Sequence, residues 1–217
     1  MKRAKWIVIF IASGLILTPT AWSQSLGITG GVNIANFNGI KNATTKNGMI
    51  IGAFINYSFM GGIQLQPEVL FSMKGASGAT ILGGNTGGPP TATQTYDFTL
   101  SYIEVPVLLK ANVLEVPLLP IDVDIFAGPD FAFNVASKNK TTLANITTTT
   151  DEMSNTRPFD FNITIGAGPE IDLAGMTLGA EVRYTFGTGP VFKNSLPVKP
   201  LSDVKNGAWS IMASIGF

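Results

Sequence analysis

Apolar and polar side chains alternate with a period of two along most of this chain, which is the pattern of half-buried strands and not of helices. Ile63, Leu65, Val69, Phe71 and Met73 alternate with Gln64, Gln66, Glu68, Ser72 and Lys74. Leu26, Ile28, Val32 and Ile34 oppose Thr29 and Asn33, and Met49, Ile51, Ile55, Tyr57 and Phe59 oppose Gly52, Asn56 and Ser58. Further along, Ile121, Val123, Ile125, Phe131 and Phe133 face away from Asp122, Asp124, Asp130 and Asn134. Phe159 to Asp172, Met176 to Phe186 and Gly207 to Phe217 repeat the alternation. With a segment around Tyr96 to Lys110, the pattern predicts eight strands of about 10 to 15 residues, where ~9–11 suffice to cross a bilayer at a steep tilt.

The fourth segment changes phase. Tyr96, Phe98, Leu100 and Tyr102 share one parity, whereas Ile103, Val105, Val107 and Leu109 share the other. Keeping both sets on the apolar face requires an extra residue, so a β-bulge is expected between Tyr102 and Ile103. Pro67, Pro106, Pro129 and Pro169 each remove a ladder donor, and must sit at bulges or leave a bond missing. The expected connections alternate in length. Long polar segments follow strands one, three, five and seven, including Gly75 to Thr95 and Ser137 to Pro158. Short ones, at Met60 to Gly62, Leu114 to Pro120 and Ala174–Gly175, follow the even strands. Long loops on one side and tight turns on the other describe an up-and-down transmembrane β-barrel. Phe71, Tyr96, Phe98, Phe131, Phe133, Phe159, Phe161, Tyr184 and Phe186 fall on outward parity near the loop ends, and Tyr57, Phe59 and Phe217 near the turn ends. Two aromatic girdles are the expectation.

The amino terminus adds a compartment. Lys2, Arg3 and Lys5 precede an apolar run from Trp6 to Leu17, and Ala21 and Ser23 occupy the −3 and −1 positions of a cleavage site. That is a signal peptide, with an apolar core too short to span a bilayer as a helix. The division is residues 1–23 as leader and 24–217 as the barrel domain, exported through the inner membrane into the bacterial outer membrane. Loss of the three leader bases leaves 11 basic residues against 14 acids, which gives no footing for nucleic acid. The charged fraction is 13% and the mean hydropathy +0.30. The last strand, ending on Phe217, is the expected contact for the barrel insertion machinery.

Nine acids take inward parity: Glu68, Glu104, Asp122, Asp124, Asp130, Asp160, Glu170, Asp172 and Glu181, opposed by Lys74, Lys110 and Arg183. The tight turn sets Leu173 against Met176, which places Gly168 opposite Glu181 and Gly166 opposite Arg183. Small residues across from long charged ones suit the narrow bore of eight strands. The candidate site is therefore a structural charge network of Glu68, Glu104, Glu170 and Glu181 around Arg183 and Lys110. The chain has no histidine and no cysteine, which rules out Ser-His-Asp and Cys-His nucleophiles and every metal site built on those ligands. No catalytic residue, cofactor or metal site is expected. Asp151 and Glu152 are solvated loop acids before they are cation ligands, and Gly83–Gly84 and Gly87–Gly88 lack phosphate-cradling spacing. The apolar turn with Leu114, Val116, Leu118 and Leu119 is expected to dip into the inner leaflet, with docking of a partner as the alternative.

Several stretches resemble the PorT-like outer-membrane β-barrel family of Bacteroidota. They are Gly30-Gly31-Val32-Asn33 followed by Ala35-Asn36-Phe37, Leu65-Gln66-Pro67-Glu68-Val69-Leu70-Phe71-Ser72-Met73-Lys74-Gly75, and Tyr102-Ile103-Glu104-Val105-Pro106-Val107-Leu108-Leu109-Lys110. Phe126-Ala127-Gly128-Pro129 and Gly166-Ala167-Gly168-Pro169-Glu170 are similar to its later strands. The resemblance implies a small outer-membrane barrel and no catalytic residues; the founding member is associated with type IX secretion. The function expected is a non-enzymatic barrel with a structural or envelope-assembly role, its partners being outer-membrane lipid and other envelope proteins. The alternative is a narrow pore for ions or small solutes, and a membrane hydrolase or acyltransferase ranks last.

Overall fold

A computed structural model describes residues 23–38, 43–59, 62–82, 92–115, 121–143, 146–193 and 204–217. Its strands are β1 (Ser23–Asn38), β2 (Ala43–Ser58), β3 (Ile63–Leu82), β4 (Ala92–Glu115), β5 (Ile121–Leu143), β6 (Ile146–Asp151), β7 (Phe159–Leu173), β8 (Met176–Gly187) and β9 (Lys205–Gly216). They form one antiparallel sheet in the order β4-β3-β2-β1-β9-β8-β7-β5-β6, and β4 also pairs with β5. That pairing closes the eight strands other than β6 into an up-and-down barrel, as the alternation predicts. At the other seam, Phe217 N–H donates to Leu26 O (2.8 Å) and Leu26 N–H to Phe217 O (3.2 Å). The leader, the glycine pairs at 83–88, Val116, Leu118 and Leu119 lie outside the described residues; Ser23 opens β1.

Alternation sorts the side chains as the lipid argument requires. Ile28, Val32, Ile51, Val69, Leu109, Ile163, Val182 and Ile211 are exposed on the outside, while Asn33, Gln66, Glu68, Asn162, Thr164 and Arg183 are buried within. Outward rings meet in cross-strand pairs near the loop end. Phe131 and Phe161 lie 5.6 Å apart, Phe133 and Phe159 5.4 Å, and Tyr184 and Trp209 4.8 Å. Such pairs add about 0.5–1.5 kcal/mol each beyond area burial.

The fourth strand departs from expectation. Phe98, Leu100 and Tyr102 point into the bore, on the same parity as Glu104, Leu108 and Lys110, and β4 keeps its phase. The irregularity sits on the neighbouring strand: Ser101 pairs with Ala136 but Tyr102 with Asn134, which leaves Val135 of β5 as the extra residue. The apolar side chains at 98–102 do not need lipid because the barrel mouth supplies its own core. Phe37, Leu100, Tyr102, Ala132, Val191, Phe192 and Val204 pack together there, with Phe98 against them. A second bulge places Val113 of β4 between Asn112↔Asp124 and Leu114↔Val123.

The long polar segments are also largely strand. β3 and β4 continue their ladder to Leu82↔Ala92, β5 runs on to Leu143, and β6 returns along it from Ile146 to Asp151. The threonine-rich stretch read as loop is thus a hairpin, since β-branched residues suit extended backbone. The prolines keep register. Phe54↔Glu68 and Tyr57↔Leu65 flank Pro67, and Ala167↔Val182 and Glu170↔Gly179 flank Pro169, with no slip between them. Each leaves the register of its ladder unshifted.

Candidate functional site in the barrel interior

Ring order decides which side chains meet. Counting β1, β2, β3, β4, β5, β7, β8, β9 around the barrel, β3 stands diametrically opposite β8, and β4 opposite β9. Arg183 of β8 reaches across the bore to Glu68 of β3, with Nη1 donating to Oε2 (2.8 Å) and Nη2 to Oε1 (3.2 Å). Glu181 closes on the same guanidinium, and Gln66 Nε2 donates to Glu68 Oε1 (2.6 Å). The Arg183 guanidinium also lies over the Phe126 ring, 5.4 Å from its centroid. Gly166 makes that stacking possible: it pairs with both Phe126 and Arg183, and a Cβ there would stand 2.4 Å from the Phe126 ring.

Nearer the turns, Lys110 bridges Glu170 and Asp124, the latter at 3.2 Å. This group borders a cavity of about 10 Å³ lined by Phe126, Gly168, Gly179, Glu181 and Ser214, room for about one water molecule. On the loop side of the strut, Lys74 pairs with Glu104 at 2.5 Å. Asn162 Nδ2 donates to Asp130 Oδ2 (3.1 Å), and Asn206 Nδ2 to Asp160 Oδ2 (3.4 Å). Asn206 Nδ2 also donates to the Tyr102 hydroxyl (2.9 Å), and this pair, from β9 to β4, is the second bond across the bore. The opposite wall is quieter. Ser210 Oγ donates to Asn33 Oδ1 (2.6 Å), Asn33 Nδ2 to Ser72 Oγ (2.9 Å), and Ile50, Leu70 and Met212 form an apolar patch.

The six residues expected to form one network are all interior, but they form three groups. Arg183 holds Glu68 and Glu181, Lys110 holds Glu170, and Glu104 goes to Lys74. Glu104 sits beside β3 in the ring, and its ladder partner Leu70 is four residues from Lys74, so the flexible amine bridges the diagonal. Gln66, Asp124, Tyr102 and Asn206 belong to these groups without having been expected there. The inward parity of Asp124 and Gln66 could have found them; Tyr102 was hidden by the phase change assigned to its strand. Asp122 and Asp172 lie at the turn end, where Thr177 Oγ1 donates to Asp172 Oδ1 (2.6 Å). Asp151 and Glu152 form a turn, accepting from Met153 N–H (2.9 Å) and Asn155 Nδ2 (2.7 Å).

Phe192 packs into the apolar cluster at the loop end of the bore. Its ring stands 5.8 Å from Phe37 and 5.6 Å from Phe98. Backbone bonds hold the segment in place: Val191 N–H donates to Val204 O (2.8 Å), Arg157 N–H to Val191 O (2.8 Å), and Lys193 N–H to Asn155 O (2.8 Å).

A family model described as an outer membrane protein beta-barrel domain matches residues 22–193. No curated protein matches the chain. Similar solved structures include Neisserial surface protein A, at 12% identity and a TM-score of 0.49, covering 91% of this chain and 98% of that one. Ail, the attachment invasion locus protein of Yersinia pestis, is 13% identical with a TM-score of 0.39, at 90% and 99% coverage. The N-terminal β-barrel domain of Pseudomonas aeruginosa OprF is 11% identical with a TM-score of 0.39, at 91% and 98%. At such identities and TM-scores these likenesses do not bear on what the chain does.

Proposed function

Because the chain belongs to the outer membrane protein beta-barrel domain family and lies in the bacterial outer membrane, we propose that it is a non-enzymatic, non-conducting barrel whose work is done at its two ends. The observation that carries this reading is the Arg183–Glu68 bond between opposite walls. An eight-stranded barrel has a bore that side chains nearly fill, and here a charge-paired strut crosses it. The Asn206–Tyr102 bond and the Phe192 cluster are further obstructions in series. The absence of histidine and cysteine removes the commonest nucleophile and base pairs, and the interior acids are held by amines, a guanidinium and amides.

The barrel then serves as an anchor for the strand extensions beyond the loop-end girdle and for the turns on the periplasmic side. The PorT-like segments support an envelope-assembly or secretion-associated role, with outer-membrane lipid and envelope proteins as partners. Planar-bilayer recording on the refolded chain tests the proposal. Silence is expected, and stable cation-selective openings by the unaltered protein overturn it in favour of the narrow pore. Crosslinking in native envelopes identifies which end is engaged.

A further inference from the structure

The basic side chains are sorted by end. Among the described lysines and arginines, Lys74, Lys110 and Arg183 line the interior, while Lys46, Lys138, Lys140, Arg157, Lys193 and Lys205 all stand at the loop end. The turn end carries Asp122 and Asp172 and no described base beyond Lys110 inside the bore. Each end of the barrel meets its own leaflet, and a cluster of bases at a bilayer surface attracts anionic headgroups.

Three of the loop-end bases sit together above the aromatic girdle. Lys138 and Lys140 are exposed on one face of β5, opposite the buried Ser137 and Asn139. Arg157, also exposed, comes two residues before Phe159. On the inner side the Ser137 and Thr156 hydroxyls bond at 2.8 Å, and Asn134 N–H donates to Pro158 O (2.9 Å). Those bonds hold the two backbones side by side, which makes Lys138 and Arg157 neighbours at the surface. Below them lies the Phe133–Phe159 ring pair, both members exposed to lipid.

Height and charge then agree. Val135 is the bulged residue, so Lys138 stands about four ladder steps beyond Phe133, or about 10 Å of height at ~3.3 Å per residue and ~40° tilt. The headgroup layer extends roughly 5–8 Å past the hydrocarbon, and long basic side chains bend toward it along their apolar stems. Among the described residues no salt bridge or side-chain hydrogen bond engages Lys138, Lys140 or Arg157. The acids beside them have other contacts. Asp97, across from Lys140, is held by Lys46, and Asp151, across from Lys138, accepts from Met153 N–H (2.9 Å). With Lys46 counted, the bases outnumber Asp97 and Asp151, and the patch stays positive.

We propose that Lys138, Lys140 and Arg157 bind the phosphate groups of an outer-leaflet lipid headgroup, whose acyl chains lie against the Phe133–Phe159 pair. Charge selects the phosphate, and height above the rings selects a lipid over a free anion. A mobile headgroup needs matched charge at its own depth, not an enclosing cage. The proposal deepens the reading that the work is done at the barrel's ends, and rests on its placement in the outer membrane.

The test titrates the refolded mature chain in zwitterionic detergent with bisphosphorylated lipid A, counting bound lipid by native mass spectrometry. Saturable binding that weakens as salt rises is expected, with dephosphorylated lipid A of the same acyl chains binding at least about tenfold more weakly. Lys138→Gln/Lys140→Gln/Arg157→Gln should weaken the bisphosphorylated lipid by at least about tenfold, each surface base being worth roughly a fivefold factor. Lys138→Arg/Lys140→Arg should retain it. These side chains are exposed, and heat-modifiability checks that each variant folds. Lys205→Gln, which removes one charge from the rim at β9, should leave affinity unchanged where Lys138→Gln lowers it. Equal affinity of the unaltered barrel for the two lipids overturns the proposal. So does an equal loss in Lys205→Gln and Lys138→Gln, which would make the effect one of net charge. Displacement of the lipid by millimolar inorganic phosphate assigns the bases to a free anion and also overturns it. Conductance by the unaltered barrel would remove the proposed function and leave the lipid comparison to stand or fall separately.

Discussion

With Glu68 on the opposite wall and Glu181 two residues away on its own strand, Arg183 balances two carboxylates while its guanidinium covers the Phe126 ring. Arg183→Met keeps the volume and removes the charge, leaving both acids buried and unpaired. Breaking one side of a buried ion pair costs about 3–5 kcal/mol; the urea midpoint should fall accordingly, and the heat-modifiable band should convert at lower temperature. Arg183→Lys should recover part of the loss, since an amine reaches one carboxylate but cannot fork to two. Gly166 is tested in the same frame. Alanine there drives a methyl into the Phe126 ring, and overpacking of this kind costs roughly 1–3 kcal/mol. Much of this was legible residue by residue. The two-residue turn set the β7–β8 register, and with it Gly166 opposite Arg183. The partner on β3 was visible only as an inward acid, because which wall faces which depends on closure of the whole ring.

Turns and strands carry their own expectations. The β7–β8 hairpin turns on Ala174 and Gly175, at φ values of 45° and 98°, the two positive dihedrals of a type I′ connection. Glycine suits that region, whereas alanine there costs about 1–2 kcal/mol. Ala174→Gly should therefore raise the unfolding free energy by about 1 kcal/mol, while Gly175→Ala should lower it, both read from urea titrations of the refolded barrel. Elements with one apolar and one polar face were readable, because lipid outside and a largely polar bore impose period two along most of their length. β4 was not, for a physical reason. Phe98, Leu100 and Tyr102 are apolar yet inward, and a pattern that equates apolar with outward must invent a phase change to accommodate them. The residue inserted by that logic exists, but as Val135 on the adjoining strand. β6 was missed because its run of threonines ending on Asp151 marks a loop by polarity, although β-branching favours strand. Where both faces meet water, polarity carries no information about backbone conformation.

At the scale of the molecule, three obstructions stand in series along the bore: the Phe192 cluster, the Asn206–Tyr102 bond and the Arg183 strut. Conductance falls with the narrowest point, so removing any one leaves the others in place. Phe192→Ala alone should remain silent in planar bilayers, although truncating a buried phenylalanine costs about 3–5 kcal/mol and lowers the unfolding midpoint. Arg183→Ala alone opens the middle under an intact roof, and should be silent or show only rare events. The triple variant Phe192→Ala/Asn206→Ala/Arg183→Ala removes all three, and current should appear. Its selectivity is fixed by what remains. Glu68, Glu181 and Glu104 still line the path while the strongest interior cation is gone, so the openings should prefer potassium over chloride. Reversal potentials in a salt gradient measure that preference. Anion preference would show that ions travel by a route other than the carboxylate-lined bore. Current through Phe192→Ala alone would show that the strut and the Tyr102 bond do not close the barrel beneath the roof.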